Sequence, residues 1–202
     1  MQTMDNLKTK LNNLIFYRII FFNWIIISFS NCSINGTMQG LYSYYSKTLQ
    51  ISPYLIKKPI SSICNISQKD TSVIYTTNGI EIKSCIEKIN KSLLYLWKPK
   101  CTSDICLSLE RVQDYCNENN IELFIVAEYY DYETMKIVHA IKRPIFGIDC
   151  EYYKTNLTKK YVSGFMNDLF GEKYNFDGNN YFFFKNGCLN NMSDNIQKIN
   201  IK

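Results

Sequence analysis

Cys101 and Cys106 are the residues whose type and spacing point most directly to chemistry: two thiols separated by Thr102-Ser103-Asp104-Ile105. Such a pair can cycle between dithiol and disulfide and exchange electrons with other thiols. A disulfide needs Cα atoms about 4.4–6.8 Å apart. On one helix the two would be roughly 7.5 Å apart along the axis alone, at ~1.5 Å rise per residue. Pairing therefore requires a helix that begins after Cys101. Ser103 is the expected cap, and Asp104 suits the positive helix end. Cys106 is then expected in the first helical turn, where free N–H groups favour a thiolate. Cys101 is expected in the loop as the exposed nucleophile, with Lys98 and Lys100 near enough to stabilise its charge. In this reading Cys101 attacks a substrate disulfide and Cys106 resolves the mixed disulfide. The competing reading of the same spacing is a structural bridge, or a buried Cys106.

Other residues offer weaker chemistry. Arg111, one turn beyond Cys106, is the cation that a peroxide-reducing variant would want. His139 stands between Val138 and Ala140, so a partly buried helical position is expected. Copper held by two thiolates and a distant His is a further reading, but the third ligand is poorly placed. Zinc would need four closely spaced ligands, and no such cluster exists in the sequence. No metal and no cofactor is expected. The run Glu128-Tyr129-Tyr130-Asp131-Tyr132-Glu133 follows a strand end, where open α/β sheets often bind ligands. A helix start with a solvated acidic face is the simpler expectation for it.

These residues need a scaffold. The chain has 202 residues, 46% of them apolar or aromatic and 20% charged, which is a globular composition. The net charge is +5, and no basic run exceeds two residues, so a nucleic-acid partner is not expected despite the many Tyr and Phe. Val73-Ile74-Tyr75 and Ile80-Glu81-Ile82 flank Asn78-Gly79, which reads as a hairpin. Leu93-Leu94-Tyr95-Leu96-Trp97 is an unbroken apolar run, expected as a strand buried on both faces and ended by Pro99. Residues 103–119 carry Ile105, Leu109, Val112 and Cys116 in a helical stripe. Residues 121–127 read as a second buried strand, 131–141 as a helix, 144–148 as a short strand and 158–170 as a third helix. Tyr181-Phe182-Phe183-Phe184 reads as a closing strand with a tight turn at Asn186-Gly187. The pattern predicts an α/β fold with a central mixed β-sheet flanked by helices, whose βαβ unit spans 93–127.

The first residues read as an address. Lys8, Lys10 and Arg18 precede an apolar stretch from Ile19 to Phe29, and Phe29-Ser30-Asn31-Cys32 follows. A basic head, a short apolar middle and small residues make a secretory signal over 1–31. The stretch is shorter than the ~20 residues a membrane-spanning helix needs. The segment resembles the lipobox of bacterial lipoproteins, although Phe29 and Asn31 depart from it. The resemblance implies lipidation of Cys32 and attachment to the membrane. An uncleaved anchor is the alternative. Either way the rest of the chain is expected in the cell envelope, facing the periplasm or exterior, where disulfides persist. Residues 32–71 read as an irregular, lipid-tethered lead-in, 72–189 as the domain and 190–202 as a polar, frayed tail. Of the remaining cysteines, Cys64 and Cys85 could bridge and Cys116 belongs to the core.

Leu94-Tyr95-Leu96-Trp97-Lys98-Pro99-Lys100-Cys101 is similar to the active-site entry of the thioredoxin-like family, where a buried strand ends in Trp shortly before the first Cys. The upstream Asn-Gly segment resembles the lead-in hairpin of membrane-tethered bacterial thiol–disulfide reductases. Phe184-Lys185-Asn186-Gly187 resembles the closing strand and turn. The likeness covers about residues 72–189. It implies a thioredoxin-like fold, oxidoreductase chemistry at Cys101 and Cys106, and thiols or disulfides of envelope proteins as partners. Two features depart from the family. Four residues separate the cysteines where the family has two, and neither Asn179 nor Asn180 is the proline expected before the closing strand. A non-catalytic thioredoxin-like binding module with a vestigial cysteine pair is the alternative that these departures leave open.

Overall fold

The computed structural model describes Arg18, Tyr174 and residues 40–68, 72–103, 106–171 and 178–200. The signal segment apart from Arg18, together with Cys32, Asp104 and Ile105, lies outside the described residues. The chain divides into two units between Thr37 and Met38, and the fold described here is that of the second.

The elements are α1 (Tyr45–Ile51), β1 (Ile56–Lys57), β2 (Ile74–Thr77), α2 (Gly79–Ile86), β3 (Lys91–Trp97), α3 (Leu109–Glu118), β4 (Glu122–Ala127), α4 (Tyr132–Met135), β5 (Phe146–Ile148), α5 (Thr158–Phe170), β6 (Tyr181–Lys185) and β7 (Cys188–Ser193). Short 3-10 turns cover Ile63–Asn65 and Ile196–Lys198. The strands form one mixed sheet in the order β1-β2-β5-β4-β3-β6-β7. The first five in that order run parallel, and β6 and β7 close the sheet antiparallel. The expected α/β class and the β3-α3-β4 crossover are present.

The apolar run Leu93–Trp97 is buried along its whole length, as a central strand covered on both faces must be. On one face of β6, Phe182 and Phe184 meet Phe170 of α5, with ring centroids 5.5 and 5.9 Å away. Alternation sends Tyr181 and its cross-strand partner Tyr95 to the other face, where their rings stack at 4.5 Å. Helix α5 keeps the predicted bounds. Tyr161, Val162, Phe165, Met166 and Leu169 form its buried stripe, and it ends at Gly171, whose φ of 104° suits only glycine.

Several expectations fail for identifiable reasons. Asn78-Gly79 makes no hairpin. Asn78 caps α2 instead: its side chain accepts from the Glu81 amide, and the Glu81 carboxylate accepts from the Asn78 amide. This reciprocal capping box competes with the turn and wins. Gly79 is required by crowding, because a Cβ there would lie 2.2 Å from the Phe165 carbonyl oxygen of α5. At Asn186-Gly187 the same dipeptide does form the expected turn, with φ values of 52° and 79°. The helix expected over 131–141 reaches only Tyr132–Met135. The lead-in expected to be irregular holds α1 and contributes β1 to the sheet edge. The tail expected to fray holds most of β7, and Ile196 and Ile199 are buried in the core.

A disulfide between Cys64 and Cys85 joins the lead-in to α2. Arg143 strengthens the same junction. Its Nε donates to Glu122 Oε1 at 2.6 Å, its Nη1 donates to the Cys64 carbonyl, and its guanidinium lies 4.8 Å from the Phe124 ring centre.

Gly79→Ala separates helix propensity from packing. Propensity alone would stabilise α2 by about 1 kcal/mol. The contact with the Phe165 carbonyl predicts the opposite, a loss of about 2 kcal/mol or more in urea unfolding. A variant as stable as the parent would remove Gly79 as the point of closest approach between α2 and α5.

Candidate redox site

β3 and β4 are parallel and in register, Trp97 opposite Ala127. Both strands therefore end at the same rim, and the residues after them emerge side by side. The Glu128 amide donates to the Trp97 carbonyl at 2.8 Å, continuing the ladder one step. Beyond it, Lys98–Cys101 forms a tight turn in which the Cys101 amide donates to the Lys98 carbonyl at 3.0 Å. A second turn follows, the Cys106 amide donating to the Ser103 carbonyl at 2.9 Å.

These two turns bring Cys101 and Cys106 together as a disulfide, with Cα atoms 6.0 Å apart. Both cysteines are half-buried, as is Cys64 of the other bridge, whose partner Cys85 is fully buried. Ser103 Oγ lies 3.2 Å from Cys101 Sγ and 3.3 Å from Cys106 Sγ.

The helix begins later than expected. Ser108, not Ser103, caps α3, its hydroxyl accepting from the Arg111 amide at 3.3 Å. Glu110 supplies the first-turn acid that favours this start. Cys106 therefore precedes the helix and does not occupy its first turn. The free N–H groups of α3 act beyond Ser108, so the dipole stabilisation expected at Cys106 is weaker than the sequence suggested.

The two lysines are also engaged. Lys100 Nζ lies 2.8 Å from Asp131 Oδ2, and that hydrogen bond holds its ammonium above the usual value. Burial pushes the Asp131 carboxyl up, but hydrogen bonds from Lys100 and Thr134 outweigh it and lower its pKa overall. Lys98 Nζ lies 3.5 Å from Glu128 Oε1, a longer and weaker contact than that of Lys100 with Asp131. Each cation faces a carboxylate, so neither is free to pair with a thiolate alone.

The end of the acidic, aromatic run starts a helix as expected, with Asp131 capping α4 and Glu133 exposed, but its first half braces the cysteine loop. Glu128, Tyr129 and Tyr130 are buried. Tyr129 Oη accepts from the Lys100 amide at 3.2 Å, Asp131 holds the Lys100 side chain, and Tyr161 Oη donates to the Glu128 carbonyl. The position of the run after a strand adjacent to β3 was the available clue. Burial pushes the Glu128 carboxyl up to about 7, with Lys98 opposing the rise.

His139 is not helical. Its Nδ1 lies 2.7 Å from Glu110 Oε1, and its ring meets Trp97 edge-on with centroids 6.3 Å apart. It thereby joins the two ends of the segment that carries the cysteines. Arg111 is exposed on α3. Among the described residues no group of three or more His, Cys, Asp or Glu is placed to hold a metal ion. A groove of about 520 Å³ runs between α3 and residues 138–142. Its amides serve one another: Gln113 Nε2 donates to Asn117 Oδ1 at 3.1 Å, and Gln113 Oε1 accepts from the Lys142 amide at 2.9 Å.

Two of the unpaired cysteines among the described residues are shielded by burial. Cys116 lies in the core of α3, and burial pushes its thiol up to about 12. Cys150 is buried, which also raises its pKa. Cys188 is exposed on β7, at the turn from β6.

Glu128 makes stability pH-dependent in a definite direction. Its folded pKa of about 7 stands above its ordinary value of 4.5. The stability it contributes is present in full below 4.5 and is lost as pH rises through 7. Between pH 5 and pH 8 this amounts to about 2–3 kcal/mol. Glu128→Gln is expected to remove that slope and to be the more stable protein at pH 8, as read by urea titration at both pH values. Equal slopes in parent and variant would contradict the burial of this carboxyl.

No family model matches the sequence, and no curated protein or solved structure is significantly similar to it, so the chemistry of this site rests on its own geometry.

Proposed function

We propose that this chain is an exported thiol–disulfide oxidoreductase of the cell envelope, built on a thioredoxin-like domain, with Cys101 and Cys106 as its redox pair. The observation that carries this reading is the position of the Cys101–Cys106 disulfide. It sits at the C-terminal rim of a central parallel strand, in a loop where both cysteines are half-exposed. Part of the element order supports the thioredoxin-like assignment: a buried strand ending in Trp, the cysteine loop, a helix and a parallel strand, then, after α4, the additional strand β5 and helix α5, a closing antiparallel pair. Two disulfides among the described residues suit an oxidising compartment and hence export. Lipidation of Cys32 would tether the domain to the membrane, and no helix among the described residues is long and apolar enough to cross one.

In the reducing direction, a Cys101 thiolate attacks one sulfur of a partner's disulfide. That bond breaks, and its electron pair leaves on the partner's other sulfur. The Cys106 thiolate then attacks Cys101 Sγ, the mixed disulfide breaks, and the second partner sulfur leaves. Two electrons have passed to the partner, and Cys101–Cys106 has become the disulfide. The reverse sequence oxidises a partner dithiol.

A second reading has its own support. The late start of α3 and the engagement of Lys98 and Lys100 remove two sources of thiolate stabilisation. They favour a binding module in which the bridge clips the loop. Turnover separates the two. With a protein disulfide and a dithiol reductant, the oxidoreductase accelerates reduction above the uncatalysed rate. Cys101→Ser abolishes this, and Cys106→Ser accumulates a mixed disulfide through Cys101. A parent no faster than buffer leaves the binding module, and turnover surviving Cys101→Ser removes Cys101 as the attacking thiol.

A further inference from the structure

The loop between the cysteines places one hydroxyl against both sulfurs. Ser103 Oγ is 3.2 Å from Cys101 Sγ and 3.3 Å from Cys106 Sγ. The backbone helps to set this position, the Cys106 amide donating to the Ser103 carbonyl at 2.9 Å. A serine hydroxyl carries one hydrogen that rotates to suit its acceptor.

We infer that Ser103 is a catalytic residue of the exchange reaction, donating its hydrogen bond to whichever sulfur becomes the thiolate. This rests on the oxidoreductase reading of Cys101 and Cys106. A disulfide sulfur is a weak acceptor, while a thiolate is charged and accepts strongly. The bond therefore strengthens as the S–S bond breaks, which is the condition for stabilising a transition state over a ground state. When a partner thiolate attacks Cys101 Sγ, the electron pair of the S–S bond leaves on Cys106 Sγ, and Ser103 donates to it. When attack falls on Cys106 Sγ, the pair leaves on Cys101 Sγ, equally within reach. A second partner thiolate then attacks the mixed disulfide and releases the enzyme thiolate, which takes a proton from solvent. The partner dithiol is oxidised to a disulfide, and the enzyme disulfide is reduced.

Three other sources of stabilisation are weakened or engaged elsewhere. Lys100 is bonded to Asp131, Lys98 faces Glu128, and the amino terminus of α3 opens beyond Ser108. The hydroxyl compensates at closest range.

The test uses the full chain as Ser103→Ala and Ser103→Thr. Ser103 is exposed, so both variants are expected to fold. Thiol pKa values of the reduced proteins come from the pH dependence of iodoacetamide alkylation at Cys101 and Cys106, resolved by mass spectrometry. Equilibrium with reduced and oxidised glutathione gives the dithiol–disulfide constant. Ser103→Ala is expected to raise the pKa of the more reactive thiol by about one unit and to shift the equilibrium toward the disulfide about tenfold. Turnover should fall by a similar factor, and Ser103→Thr should restore all three. An unchanged pKa and an unchanged equilibrium in Ser103→Ala overturn the inference, as does lost turnover with both unchanged. A shifted pKa and equilibrium in a protein whose parent turns over no disulfide uphold the hydroxyl's role and defeat the oxidoreductase reading instead.

Discussion

The parallel pairing of β3 with β4 is the constraint on which the site depends. Because Trp97 and Ala127 are opposite each other, Lys98 and Glu128 leave the sheet at the same level. The turn that carries Cys101 is then held from the neighbouring strand by Glu128, Tyr129 and Asp131. A slip of one residue in this register would send every side chain of one strand to the opposite face. The apolar identity of Leu93–Trp97 and Leu123–Ala127 makes such a slip cheap on hydrophobic grounds alone. The polar contacts beyond the strand ends specify it, since only the observed register sets Lys98 against Glu128 and Lys100 against Asp131.

That brace has an electrostatic consequence. Lys98 and Lys100 look from sequence like a positive field for a thiolate, and each faces a carboxylate. Glu128 is so poorly solvated that its pKa rises to about 7, so near neutral pH it balances Lys98 only in part, while Asp131 is paired with Lys100. The Ser103 hydroxyl adds a short-range hydrogen bond for a thiolate formed at either sulfur.

Much of the scaffold was legible in the sequence. The βαβ unit, the bounds of α5 and the closing turn at Asn186-Gly187 follow from periodicity and turn chemistry, which are local. The errors arose where two local signals competed. Asn78-Gly79 satisfies a hairpin and a helix cap equally well, and Glu81, three residues on, decided for the cap. Ser103 was the expected cap for α3, but Ser108 caps it, and Glu110 in the first turn after Ser108 marks the later start. The pairing of Cys101 with Cys106 was readable from spacing. The bracing role of Glu128–Asp131 was not, because it depends on the register of β3 with β4 and on side-chain contacts across the rim, which the strand order alone does not give. His139 was misplaced for the same reason: its contacts with Trp97 and Glu110 are tertiary, and its apolar neighbours imitate a helix.

The central claim is that Cys101–Cys106 is an exchangeable bridge while Cys64–Cys85 is structural. Differential alkylation tests it most directly. The native chain is titrated with a dithiol under non-denaturing conditions, and each cysteine is then scored for alkylation by mass spectrometry. The account predicts that Cys101 and Cys106 become alkylated first, with Cys64 and Cys85 still bridged and the fold intact by circular dichroism. Cys101–Cys106 outlasting Cys64–Cys85, or opening only as the protein unfolds, would contradict it.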